Sequence, residues 1–247
     1  MHLHIFKTEQ ETIGALAEFL VETVQKAIAE RGVCNVALSG GRSPQRLHAL
    51  LASAAFHPRI DWEKVCFFFG DERDVPADHP DNNAWMARQA MLDRLQIPNT
   101  QIFSVPTSLP PAAAARAYDA MIARHFEGQP ARFDLILLGL GDNAHTASLF
   151  PHTPVLTEAS ASVQAVYLEE QQVYRITMTA PLINQARQIA FLVFGIDKAP
   201  AIQQVIQGQR EIEQYPAQLI RPATGALHWF LDEAAASRLT GTGGDSY

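Results

Sequence analysis

Apolar positions recur along the chain with two alternating spacings. After a short apolar run at 3–6, Ile13, Leu16, Leu20, Val24 and Ile28 repeat at the three- and four-residue interval of one helix face. Thr8, with Glu11 three residues on, is a capping-box signature for the start of that helix, and Gly32 marks its end. Residues 33–38 then have the length and β-branched content of a buried strand. They lead into Ser39-Gly40-Gly41-Arg42-Ser43 and Pro44, a favoured first helical residue. The strand–loop–helix unit repeats: strand 65–69, loop 70–80, helix 82–95, strand 102–105, helix 112–126, strand 135–138. Beyond Pro154 the pattern predicts strands over 165–168 and 174–178, helix 181–186, strand 189–194, helix 199–207, strand 227–231 and helix 232–239. This alternation specifies an α/β fold with a parallel sheet and helices on both faces. No Pro/Gly/Ser-rich linker, repeat or charge block interrupts it, so one domain is expected over 1–240, with 241–247 as a frayed tail.

Composition narrows the function classes. Of 247 residues, 47% are hydrophobic and 18% charged, which excludes disordered and fibrous classes. The net charge of −7 offers no broad cationic field, so neither nucleic acid nor an anionic membrane is an expected partner. An anionic ligand must instead be caught by a local pocket. The longest apolar stretch, 133–140, contains Asp134 and Gly139 and falls short of the roughly 20 residues of a membrane helix. The N-terminus lacks a secretion signal, and Cys34 and Cys66 lie in apolar runs, so reduced cysteines and a cytoplasmic location are expected.

Ligands of open α/β sheets bind beyond the carboxyl ends of the strands. Three such ends carry polar loops: SGGRSP, GDERDVPADHPDNN and GDNAHTASLFP. Gly40 and Gly41 permit close backbone approach to a ligand, and the following helix N-terminus favours a phosphate. An ordinary strand-to-helix turn would read the same way. Arg73 in Gly70-Asp71-Glu72-Arg73 suits a carboxylate or phosphate, unless the tetrapeptide is merely a solvated turn. His145 has the titration range of a general base, although a lone histidine is more often structural. The other histidines show no metal-ligand spacing, and there is no GxSxG nucleophile elbow; neither a metal nor any other cofactor is expected. Ester chemistry here would need water activated by a base.

Taken in order, the motifs resemble the 6-phosphogluconolactonase family over nearly the whole chain. They are Leu38-Ser39-Gly40-Gly41 with Ser43-Pro44; Gly70-Asp71-Glu72-Arg73 with Val75-Pro76, His79-Pro80 and Asn83; and His145-Thr146-Ala147-Ser148-Leu149-Phe150-Pro151. Arg175-Ile176-Thr177 with Thr179, Phe191-Leu192-Val193 with Gly195 and Lys198-Ala199, Pro216-Ala217, and Trp229-Phe230-Leu231-Asp232 follow. The resemblance implies a Rossmann-like three-layer sandwich of the glucosamine-6-phosphate deaminase/ribose-5-phosphate isomerase type, used without a nucleotide. It implies hydrolysis of a sugar-phosphate lactone by a monomer or weak homo-oligomer. Ser39, Gly40, Gly41, Arg42, Ser43 and Asn143 would line the substrate site, with Arg175 and Lys198 on the phosphate. His145 would deprotonate water, Arg73 would steady the oxyanion or product carboxylate, and Asp71 would orient the histidine.

Two departures from the family pattern are visible. Asn143-Ala144 stands where the family usually has Asp-Gly, removing a carboxylate near the histidine and disfavouring a positive φ at 144. Arg42 replaces the usual Ser or Thr, as either added phosphate affinity or a solvated side chain. An amino-sugar-phosphate deaminase or isomerase is the nearest alternative, but Phe150 occupies the place of its ring-opening Glu. A catalytically degenerate sugar-phosphate binder is the other. A sensor fused to a DNA-binding helix-turn-helix is not expected, because the fold candidate begins within the first ten residues.

Overall fold

The structure, a computed structural model, describes residues 1–241; the expected tail beyond Gly241 lies outside them. In chain order the elements are β1 (His2–Phe6), α1 (Glu9–Arg31), β2 (Cys34–Leu38), α2 (Arg42–Leu51), β3 (Val65–Phe69), β4 (Asp71–Arg73) and α3 (Asn83–Ala87). Then come α4 (Pro111–His125), β5 (Leu135–Leu138), β6 (Val163–Leu168), β7 (Val173–Met178), α5 (Ala180–Ile183), β8 (Gln188–Val193), α6 (Ala199–Gln207), β9 (Ala226–Asp232) and α7 (Glu233–Ala236). The Thr8 side chain accepts from Glu11 N and Gly32 ends α1 at φ 78°, as expected; the Glu11 carboxylate reaches one residue beyond the cap, accepting from Lys7 N at 3.0 Å, so the expected capping box forms only in part.

β1, β9, β8, β5, β2 and β3 form, in that order, one parallel six-stranded sheet. Its inner strands are buried on both sides, so alternate residues feed two cores. Leu135, Leu137, Phe67 and Phe69 pack with Ile13, Leu16 and Leu20 of α1, whereas Ile136, Leu138 and Phe68 pack with Tyr118 and Ile122 of α4. From β2 the chain moves outward to β3, then returns to place β5 on the other side of β2. This reversal opens a crevice between the carboxyl ends of β2 and β5, where the first and third polar loops emerge.

Four expectations need correction. The strand over 102–105 is only a single parallel bridge between Ile102 and Phe67, because beyond it the Tyr118 hydroxyl takes both polar groups of Phe69, accepting from its N–H at 2.8 Å and donating to its carbonyl at 3.1 Å. The strands at 165–168 and 174–178 do not extend the parallel sheet. They form β6 and β7 of a separate antiparallel sheet ordered β4-β7-β6. The loop over 70–80 contains β4, paired with β7 as Asp71–Thr177, Glu72–Ile176 and Arg73–Arg175. The helix over 82–95 is α-helical only at Asn83–Ala87 and then widens into a π turn at Arg88–Leu92. No helix among the described residues is long and apolar enough to cross a membrane.

Candidate active site

The loop after β2 turns sharply into α2. Gly41 sits at φ 101°, open to glycine and strained for other residues. No side chain caps the ten-residue α2, so its first-turn amides are left for a ligand. Gly40 is equally obligatory: a Cβ there would lie 1.8 Å from Asn83 Oδ1.

The loop after β3 is anchored by Glu72, which is fully buried and accepts from the amides of Arg73 (2.8 Å), Asn83 (2.7 Å) and Ala84 (3.0 Å). Burial pushes its carboxyl up to about 7 while those three N–H groups oppose the shift. Its neighbours Asp71 and Arg73 face the crevice. The Asp71 carboxylate accepts from Ser148 Oγ at 2.6 Å, and its carbonyl from Asn83 Nδ2 at 2.8 Å. Asp71 therefore ties the second loop to the third through one carboxylate oxygen, and no hydrogen bond joins it to His145 among the described residues.

The third loop folds back tightly, with Ala144 N donating to Gly141 O at 3.0 Å and Gly141 N to His145 O at 2.9 Å. This closure, with Ala217 N on Ala144 O at 2.9 Å, holds Ala144 at φ 59° despite its Cβ. The positive φ that alanine was expected to discourage is retained. Asn143 Oδ1 lies 2.6 Å from His145 Nδ1 and also accepts the His145 backbone N–H at 3.3 Å. An amide oxygen only accepts, so Nδ1 carries the proton and Nε2 keeps the lone pair. Asn143 does not line the cleft itself; the contact the structure gives it is with the base. On one face the ring stacks on Phe150, with centroids 4.0 Å apart and planes 16° off parallel.

The result is a cleft of about 390 Å³. It brings together Ser39, Gly40, Gly41, Arg42, Ser43, Asp71, Arg73, His145, Arg175 and Lys198, all but one of the expected site residues. Four are cations, in a chain whose net charge is −7. Arg73 donates to Asp81 O at 2.6 Å, Arg175 donates to Gln171 Oε1 at 3.2 Å, and Lys198 pairs with Asp142. The Arg42 side chain is exposed and has no polar partner among the described residues. Burial, and then Arg73 facing it across the β4–β7 pairing, lower the Arg175 pKa. Burial first, then Lys198 and Arg175 and more weakly Arg73, lower His145 to about 4, with Asp142 opposing. Its ring is thus neutral at physiological pH. Among the described residues no group of three or more His, Cys, Asp or Glu side chains is placed to hold a metal ion.

Sequence reasoning missed Asn83, Ser148, Gln171 and Phe150 as cleft residues. A signal existed for Asn83: Asn82 alone caps α3, accepting from Trp85 N at 2.9 Å, so a second asparagine there is surplus to capping. Gln171 comes from a hairpin tip, and no local pattern points from there to the crevice.

The family model described as glucosamine-6-phosphate isomerases/6-phosphogluconolactonase matches residues 7–229. A protein named 6-phosphogluconolactonase from Synechocystis sp. is 45% identical over 220 residues, covering 87% of this chain and 89% of its own. One of the same name from Nostoc sp. is 37% identical over 242 residues, covering 96% and 98%. Among solved structures, 6-phosphogluconolactonase from Trypanosoma cruzi superposes with a TM-score of 0.86 at 28% identity, covering 97% of each chain.

Proposed function

This chain belongs to the glucosamine-6-phosphate isomerase/6-phosphogluconolactonase family, and from that premise we propose that it hydrolyses 6-phospho-D-glucono-1,5-lactone to 6-phospho-D-gluconate, the second step of the oxidative pentose phosphate pathway. The observation that carries the reading is the His145 imidazole, its tautomer fixed by Asn143, in a cleft lined by four cations. We read residues 1–240 as one catalytic domain.

The substrate phosphate lies against the first turn of α2 and the loop of Ser39, Gly40, Gly41 and Ser43, and Arg175 and Lys198 close on its remaining charge. Arg42 adds a flexible cation at the rim. His145 Nε2 takes a proton from water as the water oxygen bonds to the lactone C1, and the carbonyl electrons move onto its oxygen. Arg73 steadies that oxyanion. Collapse breaks the bond from C1 to the ring oxygen, which receives the proton back from His145; the new carboxylic acid then ionises. A neutral imidazole, ready to accept a proton, suits the first step. The bound dianion offsets Lys198 and Arg175 and raises the basicity of the ring as the reaction begins.

Hydrolysis of freshly generated 6-phosphogluconolactone, measured above its spontaneous rate and against unphosphorylated gluconolactone, tests the reading. Strong acceleration of the phosphorylated lactone alone is expected. Equal rates for both would remove the phosphate site, and no acceleration would leave a sugar-phosphate binder. His145→Ala should lower kcat by about 10²- to 10⁴-fold and leave binding of inorganic phosphate nearly unchanged by calorimetry.

A further inference from the structure

The base needs more than a pKa; it needs a fixed plane. One hydrogen bond from Nδ1 to Asn143 pins a single point of the imidazole, and histidine χ2 is intrinsically broad, so the ring could still swing about that point. Two close contacts limit this freedom. Phe150 stacks on the ring at 4.0 Å between centroids, 16° from parallel. Gly141 is packed so closely that a Cβ would lie 2.1 Å from both Cε1 and Nδ1 of His145, which any side chain at 141 would displace.

We propose that Phe150 is the positioning residue of the base: with Gly141 it forms a slot that holds the His145 ring so that Nδ1 stays on Asn143 and Nε2 stays in the cleft. The inference rests on His145 being the base. It assigns Phe150 a task beyond core packing: this half-buried side chain packs against the core and also presents its ring face to the imidazole. The charged groups around the imidazole are Lys198 beyond β8, Arg175 on β7, Arg73 on β4 and Asp142 in its own loop. Phe150 adds no charge to this set. It covers a face of the ring and withholds water from it, and burial is the first cause of the downward shift at His145.

The test uses protein labelled with ¹⁵N-histidine, with His145→Ala assigning the signal, and long-range ¹H–¹⁵N spectra recorded from about pH 3 to 8 so that the range spans the His145 midpoint. In the unchanged chain His145 should show the Nδ1–H tautomer alone. Phe150→Leu and Phe150→Met, which keep apolar volume but lose the flat face, should populate the second tautomer and move the titration midpoint up by at least about half a unit. They should lower kcat by about tenfold with KM within about twofold. Phe150→Tyr should restore both. A loss of kcat with tautomer and midpoint unchanged would overturn the proposal, because a merely structural role moves neither. The spectra do not depend on turnover: were the lactone not hydrolysed but the tautomer still to follow Phe150, the function above would fail and this inference would stand.

Discussion

His145 has an amide at its back where a carboxylate would be the stronger partner. The Asn143 oxygen fixes the tautomer but contributes no charge, while Lys198, Arg175 and Arg73 all act against the imidazolium. The sign of the consequence is fixed: the active form is the neutral ring, so activity is lost as pH falls through the histidine pKa, near 4 in the free protein. Asn143→Asp places an anion on Nδ1 and favours the charged ring, so the acid limb of kcat/KM should rise by about 1–2 pH units. A profile measured from pH 4 to 7.5 reads this directly, and a limb that stays in place would remove residue 143 from control of the base. In the unchanged chain the limb of kcat should lie above that of kcat/KM, since bound phosphate cancels part of the cationic field.

The three residues of β4 carry Asp71, Glu72 and Arg73, a composition that reads as a turn. They form a strand because Glu72 inserts its carboxylate beneath three backbone amides and β7 supplies a partner edge. The partner edge lies far along the chain and two of the three amides belong to Asn83 and Ala84 beyond the loop, so β4 is not legible locally, and neither is the antiparallel identity of β6 and β7. The central strands and α1 were legible because two-sided burial and capping leave a local trace at Leu135–Leu138 or at Thr8 and Gly32. Likewise the glycine loop, Arg73 and His145 stood out by residue type, whereas the roles of Asn143 and Asp71 depended on which neighbour each side chain reached. The β4–β7 pairing sets Arg73 directly opposite Arg175, an unfavourable like-charge pair until bound substrate brings negative charge to it. Arg175→Ala should therefore leave the phosphate-free melting temperature unchanged or raise it, while raising KM at least about tenfold. Inorganic phosphate should stabilise the unchanged chain more than the variant in a thermal melt. Equal stabilisation of the two would show that phosphate binds elsewhere.

At the scale of the molecule, the parallel sheet sends its functional loops to one end and closes both faces with apolar layers, and this burial makes stability sensitive to acid. His48 lies inside α2, fully buried, with neither ring nitrogen hydrogen-bonded, and burial lowers its pKa to about 4. His228, lowered to about 4 by burial and then by His2 and His4, acts in the same direction. The unfolded chain takes up protons at these residues near pH 6.5, whereas the folded chain resists until near pH 4. The unfolded state thus binds more protons across that window, and stability rises with pH there; acidification from 6.5 to 4 removes it. For His48 alone the loss amounts to about 3 kcal/mol. His48→Leu removes the titration together with two unsatisfied buried nitrogens, so it should hold or increase stability at pH 7 and flatten the decline between pH 6.5 and 4. Urea unfolding at half-unit pH intervals measures both effects. An unchanged slope in the variant would mean that His48 gains a proton partner or water on folding, and that acid sensitivity arises instead at the edge of the sheet, where His228 meets His4 at 3.0 Å.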